Sequence, residues 1–126
     1  NKIGAHIIVM NRTLEKAKQL KENFQNIKII EWGEKINADM VINATSIGLN
    51  KEDKLNIDLS NIKNKFFYDV IYNANKTDFL RIGEEHGNKI ENGMMMFLYQ
   101  AQLSFKIWHD INLKIDSEVI SFLKNV

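Results

Sequence analysis

Short apolar runs rich in β-branched residues recur in the first 72 residues of the chain, and they constrain its fold most strongly. A segment of helical period, which begins at Thr13, separates the first two runs. The runs lie at residues 5–10, 27–31, 39–44 and 65–72. The first of these runs is typical of a strand buried on both faces, and the others are predicted to be strands. Their alternation with helix predicts an α/β fold, a Rossmann-like doubly wound parallel sheet with flanking helices.

The second half of the chain is mostly helical in pattern. Helices are predicted at residues 76–87, 93–110 and 116–126, with a short edge strand at 88–92. Gly87 is expected to close the first of these helices just after its cap. Asp116 or Ser117 is expected to open the last one.

Composition excludes several classes of function. The chain has 126 residues, of which 44% are hydrophobic, and a net charge of +1, as in one ordinary domain or part of a larger one. This charge gives no basic field for nucleic acid, and no apolar run approaches the length of a membrane span. Cysteine is absent and the three histidines show no ligand spacing. We therefore expect no disulfide, no metal site and a cytoplasmic location.

Three informative stretches lie at the predicted carboxyl ends of strands, where doubly wound sheets bind their ligands. Residues 11–13 (NRT) follow the first strand, residues 44–46 (ATS) follow the third, and Tyr72 ends the fourth. Their common position predicts a binding site at this end of the sheet.

The first strand ends without the acidic residue that would bind the ribose 2′-hydroxyl of NAD. Arg12 offers instead a planar fork of donors suited to the 2′-phosphate of NADP. Asn11, Thr13 and the N-terminus of the following helix add neutral donors, and Lys16 lies one turn further on. A solvated arginine beside the start of a helix is the alternative interpretation.

Two further segments fit a ligand site. The segment VINATSIGL (41–49) ends a predicted strand in Thr45 and Ser46 before a glycine, which lets the backbone approach a ligand closely. On the long helix, Met96 and Gln100 lie one turn apart and could serve an aromatic ring and a hydroxyl group together. A gap-filling methionine and an exposed glutamine are the alternative. A different stripe of this helix is expected to be core: Met94, Phe97, Leu98, Ala101, Phe105 and Trp108.

Together these segments resemble shikimate dehydrogenase over nearly the whole chain, in the order of that family. The segments that carry the resemblance are NRTLEKAKQL, DMVINATSIGL, YDVIYNANKTDFL and GMMMFLYQAQLSFKIW. Three features depart from the family pattern. Lys16 stands where many members have arginine, Leu49 stands where methionine is usual, and YNAN lacks the common proline.

The resemblance implies reduction of 3-dehydroshikimate to shikimate with NADPH, on the route to aromatic amino acids. It also implies which residues bind the coenzyme: Asn11, Arg12, Thr13 and Lys16 at the adenosine 2′-phosphate, Thr45 and Ser46 along the coenzyme groove, and Val70, Gly93 and Met96 at the nicotinamide side. Tyr72 and Gln100 would reach the substrate hydroxyls. No nucleic-acid or membrane partner is expected.

The resemblance further implies that parts of the enzyme lie outside these residues. The catalytic lysine and aspartate of the family belong to an N-terminal substrate domain, and the first strand of the Rossmann domain carries a Gly-rich loop. In the order 3-2-1-4-5-6 that strand separates two strands of this chain, so we expect a split sheet with an unpaired edge on each half. Residues 1–126 are thus expected to be the C-terminal part of an NADP-binding domain, with C-terminal helices, incomplete at its N-terminal side and inactive alone.

Three alternatives stay open. The enzyme could be a quinate/shikimate dehydrogenase with broader specificity, which would also take quinate or NAD. It could be a non-catalytic or regulatory NADP-binding module. A glutamyl-tRNA reductase would share the NRT stretch, but it would not account for NATS or for the pair of Met96 and Gln100.

Overall fold

The computed structural model describes residues 4–73 and 75–124, which form five strands and four helices. In chain order these elements are β1 (Ile7–Met10), α1 (Leu14–Asn23), β2 (Ile27–Ile30), β3 (Met40–Asn43), β4 (Phe66–Asp69), α2 (Asp78–Glu85), β5 (Lys89–Glu91), α3 (Met94–His109) and α4 (Ser117–Lys124). The described residues divide into two compact units. The first comprises residues 4–36 with Asn56–Asp58, and the second comprises Asn37–Leu55 with the residues from Leu59 onward.

The first unit is a two-stranded parallel sheet covered by one helix. β1 pairs with β2, so that Ile7 lies opposite Ile27 and Met10 lies opposite Ile30. α1 packs on both strands and buries Ala17, which is 2% exposed. The carboxyl ends of β1 and β2 therefore lie side by side, with the NRT stretch leading from one of them into α1.

The second unit contains a three-stranded parallel sheet in the order β3-β4-β5. At the carboxyl ends of β3 and β4, Asn43 lies opposite Asp69. α2 packs on β4 and β5. Phe67 is fully buried and its ring stacks on that of Phe79, with 5.0 Å between the centroids. Gly83 allows this packing, because a Cβ there would come within 2.7 Å of the Phe67 ring.

The predicted fold class is confirmed, since parallel strands are flanked by helices in both units. The strands form two sheets, as expected. The strand predicted over residues 65–72 ends earlier, at Asp69. The reason is local, because the Asp69 carboxylate accepts a hydrogen bond from the Ile71 amide at 3.0 Å and turns the chain. Residues 125–126 of the predicted last helix lie outside the described residues.

Helix ends follow the predicted signals with one exception. Thr13 occupies the N-cap position of α1, but its side chain makes no capping hydrogen bond. The Asn11 side-chain oxygen instead accepts a hydrogen bond from the Thr13 amide at 2.8 Å. Thr77 caps α2 through its hydroxyl, and Asp116 opens α4 through its carboxylate. Gly87 follows the cap of α2 with φ of 77°, as expected.

The prediction that the first strand is buried on both faces is wrong, and β3 is partly exposed as well. Ile7 and Ile8 of β1 are 44% and 39% exposed, and Met40 and Ile42 of β3 are 45% and 54% exposed. Within the described residues, β1 pairs only with β2 and β3 pairs only with β4. One edge of each strand is therefore uncovered, and the apolar side chains beside it lack neighbours.

The predicted core stripe of α3 is only partly buried. Met94 and Leu98, in the first turns, are 7% and 6% exposed, but Phe97 and Trp108 are 48% and 76% exposed. The prediction is wrong for Phe97, Ala101 and Trp108, because the described residues cover only one side of the start of this helix. None of the described helices combines the length and hydropathy that a membrane crossing requires.

Candidate functional site

The NRT stretch and the first turn of α1 form a small polar surface in the first unit. Asn11 is half-buried, whereas Arg12, Thr13 and Lys16 are exposed. Asn11 fixes the entry into the helix through its bond from the Thr13 amide, and the Thr13 carbonyl accepts a hydrogen bond from the Lys16 amide at 3.0 Å. All four residues predicted to hold the 2′-phosphate thus lie in the segment that leads from β1 into the first turn of α1.

The cations of this surface are not paired with acids. Over residues 4–73 and 75–124, the structure shows no ion pair for Arg12 or Lys16. The nearest acid in sequence, Glu15, binds Lys18 with 2.8 Å between Oε1 and Nζ. Arg12 and Lys16, without an acidic partner among the described residues, therefore stand at the positive end of the helix dipole of α1. This arrangement suits an anion.

The NATS loop begins at the carboxyl end of β3 and is held by its own side chains. The Asn43 side-chain oxygen accepts hydrogen bonds from the Thr45 amide at 3.1 Å and from the Thr45 hydroxyl at 2.7 Å. The Thr45 hydroxyl oxygen in turn accepts one from the Ile47 amide at 3.1 Å. The Thr45 hydroxyl proton is therefore used within the loop, whereas Ser46 is exposed. Ser46 has no side-chain hydrogen bond in the part of the chain that the structure describes.

Asp53 holds the far side of the same loop. Its carboxylate Oδ2 accepts hydrogen bonds from the amides of Gly48 and Asn50, both at 3.1 Å. Gly48 has φ of 112°, a conformation that favours glycine, and it packs against Thr77. The amide of Asn50, and next that of Gly48, hold the pKa of the Asp53 carboxyl below its ordinary value of 3.8.

This lowered pKa predicts how the loop responds to acid. A carboxylate whose pKa is lower in the folded state contributes stability above its ordinary pKa and loses it as the pH falls through the folded value. The protection factors of the Gly48 and Asn50 amides against hydrogen exchange are therefore expected to stay high at neutral pH and to fall below about pH 4. Asp53→Asn should exchange faster already at neutral pH, and Glu52→Gln serves as the control. Equal protection in Asp53→Asn and the parent would contradict the role given to Asp53.

Val70 and Gly93, both predicted at the nicotinamide side, are in close contact in the second unit. The Gly93 amide donates to the Ile71 carbonyl at 3.1 Å. A Cβ built at Gly93 would lie 2.1 Å from the Val70 carbonyl oxygen. The start of α3 therefore approaches the chain that leaves β4 as closely as only glycine allows. Met96, half-buried, lies in the first turn of the same helix.

Tyr72 packs against α3, the helix that carries Gln100. The Tyr72 ring stacks on Phe97, with 5.9 Å between centroids and 18° between planes. Gln100 is exposed and lies one turn after Phe97 on the helix. The Tyr72 hydroxyl donates to the Leu123 carbonyl of α4 at 2.7 Å. Tyr72 is thus near Gln100, and its hydroxyl already has a partner.

An open cavity of about 320 Å³ lies beside Tyr72, at the ends of β4 and β5. Lys76, Asn92 and Met94 are among the residues that line it. The Lys76 ammonium pairs with Glu84 at 2.5 Å.

No group of three histidine, cysteine, aspartate or glutamate side chains in the described chain could hold a metal ion.

Three residues that order this region were not predicted from the sequence. They are Asn43, Asp53 and Asp69, whose carboxylate or amide groups bind the loops rather than a ligand. An acid that directly ends an apolar strand, as in FFYD, was the available signal for Asp69. Asn43 had the weaker signal of a polar residue at the end of β3.

No protein family model matches the chain. A curated shikimate dehydrogenase (NADP(+)) of Pelagibacter ubique is 54% identical over 118 residues, which are 93% of this chain and 44% of that protein. A second, from Caldicellulosiruptor saccharolyticus, is 42% identical and matches 94% of this chain and 46% of its own length. The chain therefore spans less than half the length of these curated relatives.

Two solved structures match the fold of this chain over nearly all of its length. A crystal structure of a shikimate dehydrogenase in complex with NADP+ is 28% identical, with a TM-score of 0.76 over 95% of this chain and 45% of that one. The ligand-free 5-ketofructose reductase of Gluconobacter sp. strain CHM43 is 26% identical, with a TM-score of 0.77 over 96% of this chain and 47% of that one. Over nearly all of its own length, the chain is homologous to part of the shikimate dehydrogenases, and the resemblance indicated by its motifs is confirmed.

Proposed function

We propose that this chain supplies the coenzyme-binding part of an NADP-dependent oxidoreductase that interconverts 3-dehydroshikimate and shikimate. The single observation that carries the proposal is the 54% identity, over 93% of the chain, to a relative named shikimate dehydrogenase (NADP(+)). The geometry of the described residues is compatible with it at each of the predicted contacts.

The choice of NADP over NAD rests on the start of α1. Arg12 and Lys16 are exposed and have no acidic partner among the described residues. The guanidinium of Arg12 can donate two parallel hydrogen bonds to a phosphate, while Lys16 adds a point charge. No carboxylate follows β1, where one would repel a 2′-phosphate. We assign Asn11, Arg12, Thr13 and Lys16 to the 2′-phosphate.

The nicotinamide side is assigned to the start of α3. When bound, the coenzyme would exchange a hydride with the carbonyl carbon of the substrate. The residues of this chain would hold it in place: Ser46 and the backbone of Thr45 along the groove, then Val70, Gly93 and Met96. Because Gly93 has no side chain, the first turn of α3 stays close to Val70 and presents its backbone at this point. Catalysis of this kind depends on holding donor and acceptor in contact.

Tyr72 and Gln100 are assigned to the substrate hydroxyls. The stacking of Tyr72 on Phe97 places its ring beside the turn of α3 that carries Gln100. The cavity next to Tyr72, about 320 Å³, is at the lower end of the size range of small-molecule sites. Since the Tyr72 hydroxyl donates to Leu123, it would exchange this bond for one to the substrate.

We further propose that residues 1–126 are the C-terminal part of the enzyme and are inactive alone. The uncovered edges of β1 and β3 would pair with the first strand of the Rossmann domain, and an N-terminal substrate domain would supply the proton-transfer groups. Exposed apolar side chains on β1, β3 and α3 support this proposal, because stable domains cover such residues. We also propose that the enzyme is located in the cytoplasm.

The proposal is tested with the protein made from the complete open reading frame that carries this chain. Formation of NADPH, followed by absorbance, is expected with shikimate and NADP+, and much less with quinate or with NAD+. Residues 1–126 produced alone should give no turnover. A lack of turnover by the complete protein would contradict the proposal.

The alternatives give different results in the same assay. Comparable rates with quinate or NAD+ would favour a quinate/shikimate dehydrogenase with broader specificity. Tight NADPH binding without turnover on either acid would favour a non-catalytic or regulatory module. Reduction of 5-ketofructose in preference to 3-dehydroshikimate would place the protein with the reductase that it resembles in fold.

A further inference from the structure

Asp69 is the most deeply buried polar residue of the described chain, with 0% of its surface exposed. No lysine, arginine or histidine pairs with it among the described residues. All its recorded partners are hydrogen-bond donors: the Asn43 side-chain amide, the Ile71 backbone amide and the Thr77 hydroxyl. A carboxylate buried without a countercharge is expensive, so its retention calls for a specific role.

The two oxygens of Asp69 do different things. Oδ2 accepts a hydrogen bond from the Thr77 hydroxyl at 2.5 Å, and Thr77 is the N-cap of α2. Oδ1 accepts one from Asn43 Nδ2 at 3.1 Å and one from the Ile71 amide at 3.0 Å. Oδ2 is therefore tied to a helix end, whereas Oδ1 is shared between the two segments that leave β3 and β4.

Each of these segments leads to residues assigned to the site. Asn43 holds Thr45 through its side-chain oxygen, and its Nδ2 also donates to the Ile47 carbonyl at 2.9 Å. Ile71 lies between Val70 and Tyr72, and its carbonyl accepts the hydrogen bond from the Gly93 amide. A buried oxygen atom thus links the NATS loop to the chain that carries Val70 and Tyr72, beside the backbone bond from the Val70 amide to the Asn43 carbonyl at 3.0 Å.

We propose that Asp69 is a positioning residue, whose Oδ1 sets the distance between the NATS loop and the Val70–Tyr72 segment. This inference rests on the proposed function, in which the first segment holds the coenzyme and the second meets both nicotinamide and substrate. Asp69 touches neither ligand. It acts by fixing coenzyme and substrate contacts relative to each other, and a small displacement of such contacts slows hydride transfer.

The two oxygens provide matched variants. Asp69→Ala removes both. Asp69→Asn can keep an oxygen toward Asn43 and Ile71 and turn its amide toward the Thr77 hydroxyl, which is able to accept. Thr77→Val removes only the partner of Oδ2. Asn43→Asp keeps the oxygen that holds Thr45 but replaces by an acceptor the donor that faces both Asp69 and the Ile47 carbonyl.

The variants are compared in the complete protein, at saturating shikimate and NADP+, well below the Tm of each. Asp69→Ala and Asn43→Asp are expected to lower kcat about 100-fold. Asp69→Asn should keep most of the kcat of the parent protein. Thr77→Val should lower the Tm but leave kcat unchanged, because it spares the shared oxygen. If kcat followed the Tm across all four variants, Asp69 would have only a structural role and the proposal would fail.

Hydrogen exchange separates failure of this inference from failure of the proposed function. The Ile47 and Ile71 amides should exchange faster in Asp69→Ala than in Thr77→Val, whatever the reaction is. If the parent protein does not oxidise shikimate, the proposed function fails. The exchange rates of the Ile47 and Ile71 amides then still show whether Oδ1 links the two segments. If Asp69→Ala does not fold, Asn43→Asp carries the same comparison. Equal exchange in the Oδ1 and Oδ2 variants would overturn the inference.

Discussion

Replacement of Arg12 by alanine is expected to weaken NADPH binding by about 10- to 100-fold, because hydrogen bonds between two charged groups are the strong ones. NADH binding should change little, since NADH lacks the 2′-phosphate. The exposed guanidinium has no acidic partner in the described chain that would have to be given up, so the whole effect should fall on the ligand. Arg12→Lys should be intermediate, as it keeps the charge but loses the planar fork.

Lys18→Ala is the matched control for this prediction. Lys18 lies on the same helix and is exposed, but it pairs with Glu15 at 2.8 Å. Titration of the complete protein with each coenzyme, followed by fluorescence, gives both dissociation constants. The control should leave the ratio of the NADPH and NADH constants unchanged. Equal weakening of both coenzymes by Arg12→Ala would show that Arg12 does not bind the 2′-phosphate.

Replacement of Gly93 by alanine is expected to be the most damaging single-methyl change in the chain. The added Cβ would lie 2.1 Å from the Val70 carbonyl oxygen, and the obstacle is backbone rather than a flexible side chain. Gly93 has φ of −73°, which any residue adopts, so the effect is purely steric. The free energy of unfolding should fall by about 3 kcal/mol or more, as for severe overpacking.

Gly87→Ala is the control for Gly93→Ala in the same unit. A Cβ at Gly87 meets no atom within 4 Å, and its only cost is the left-handed backbone with φ of 77°. That cost is about 1 kcal/mol. Denaturant unfolding of the complete protein measures both changes. If Gly93→Ala were no more destabilising than Gly87→Ala, the close approach of α3 to Val70 would be wrong.

Local sequence patterns were enough to predict the elements and the fold class. Each apolar run became a parallel strand, Gly87 lies where a left-handed turn is needed, and Asp116 lies where a side chain can bind free backbone groups. The exposure of Ile42 and Trp108 could not be predicted in this way. Burial depends on which residues cover a strand or helix, and the period of the pattern does not contain that information.

The candidate site was predicted by position more than by role. The rule on the carboxyl ends of parallel strands gathered Thr45 and Tyr72 in one unit, whereas NRT lies in the other, and the hydroxyl of Thr45 proved to be used within its own loop. Asp69 was not predicted because the sequence pattern placed it inside a strand that continues to Tyr72, whereas the strand ends at Asp69. Its role follows from the register that places it opposite Asn43, and register is a property of the pairing between strands.

The most direct test of the central claim is a crystal structure of the complete protein with NADP+ and shikimate bound. We expect the Arg12 guanidinium within hydrogen-bond distance of the 2′-phosphate, and the Tyr72 hydroxyl and Gln100 amide within the same reach of the shikimate hydroxyls. The Tyr72 bond to the Leu123 carbonyl should then be broken. A 2′-phosphate bound away from Arg12, or a shikimate bound away from Tyr72 and Gln100, would contradict the account.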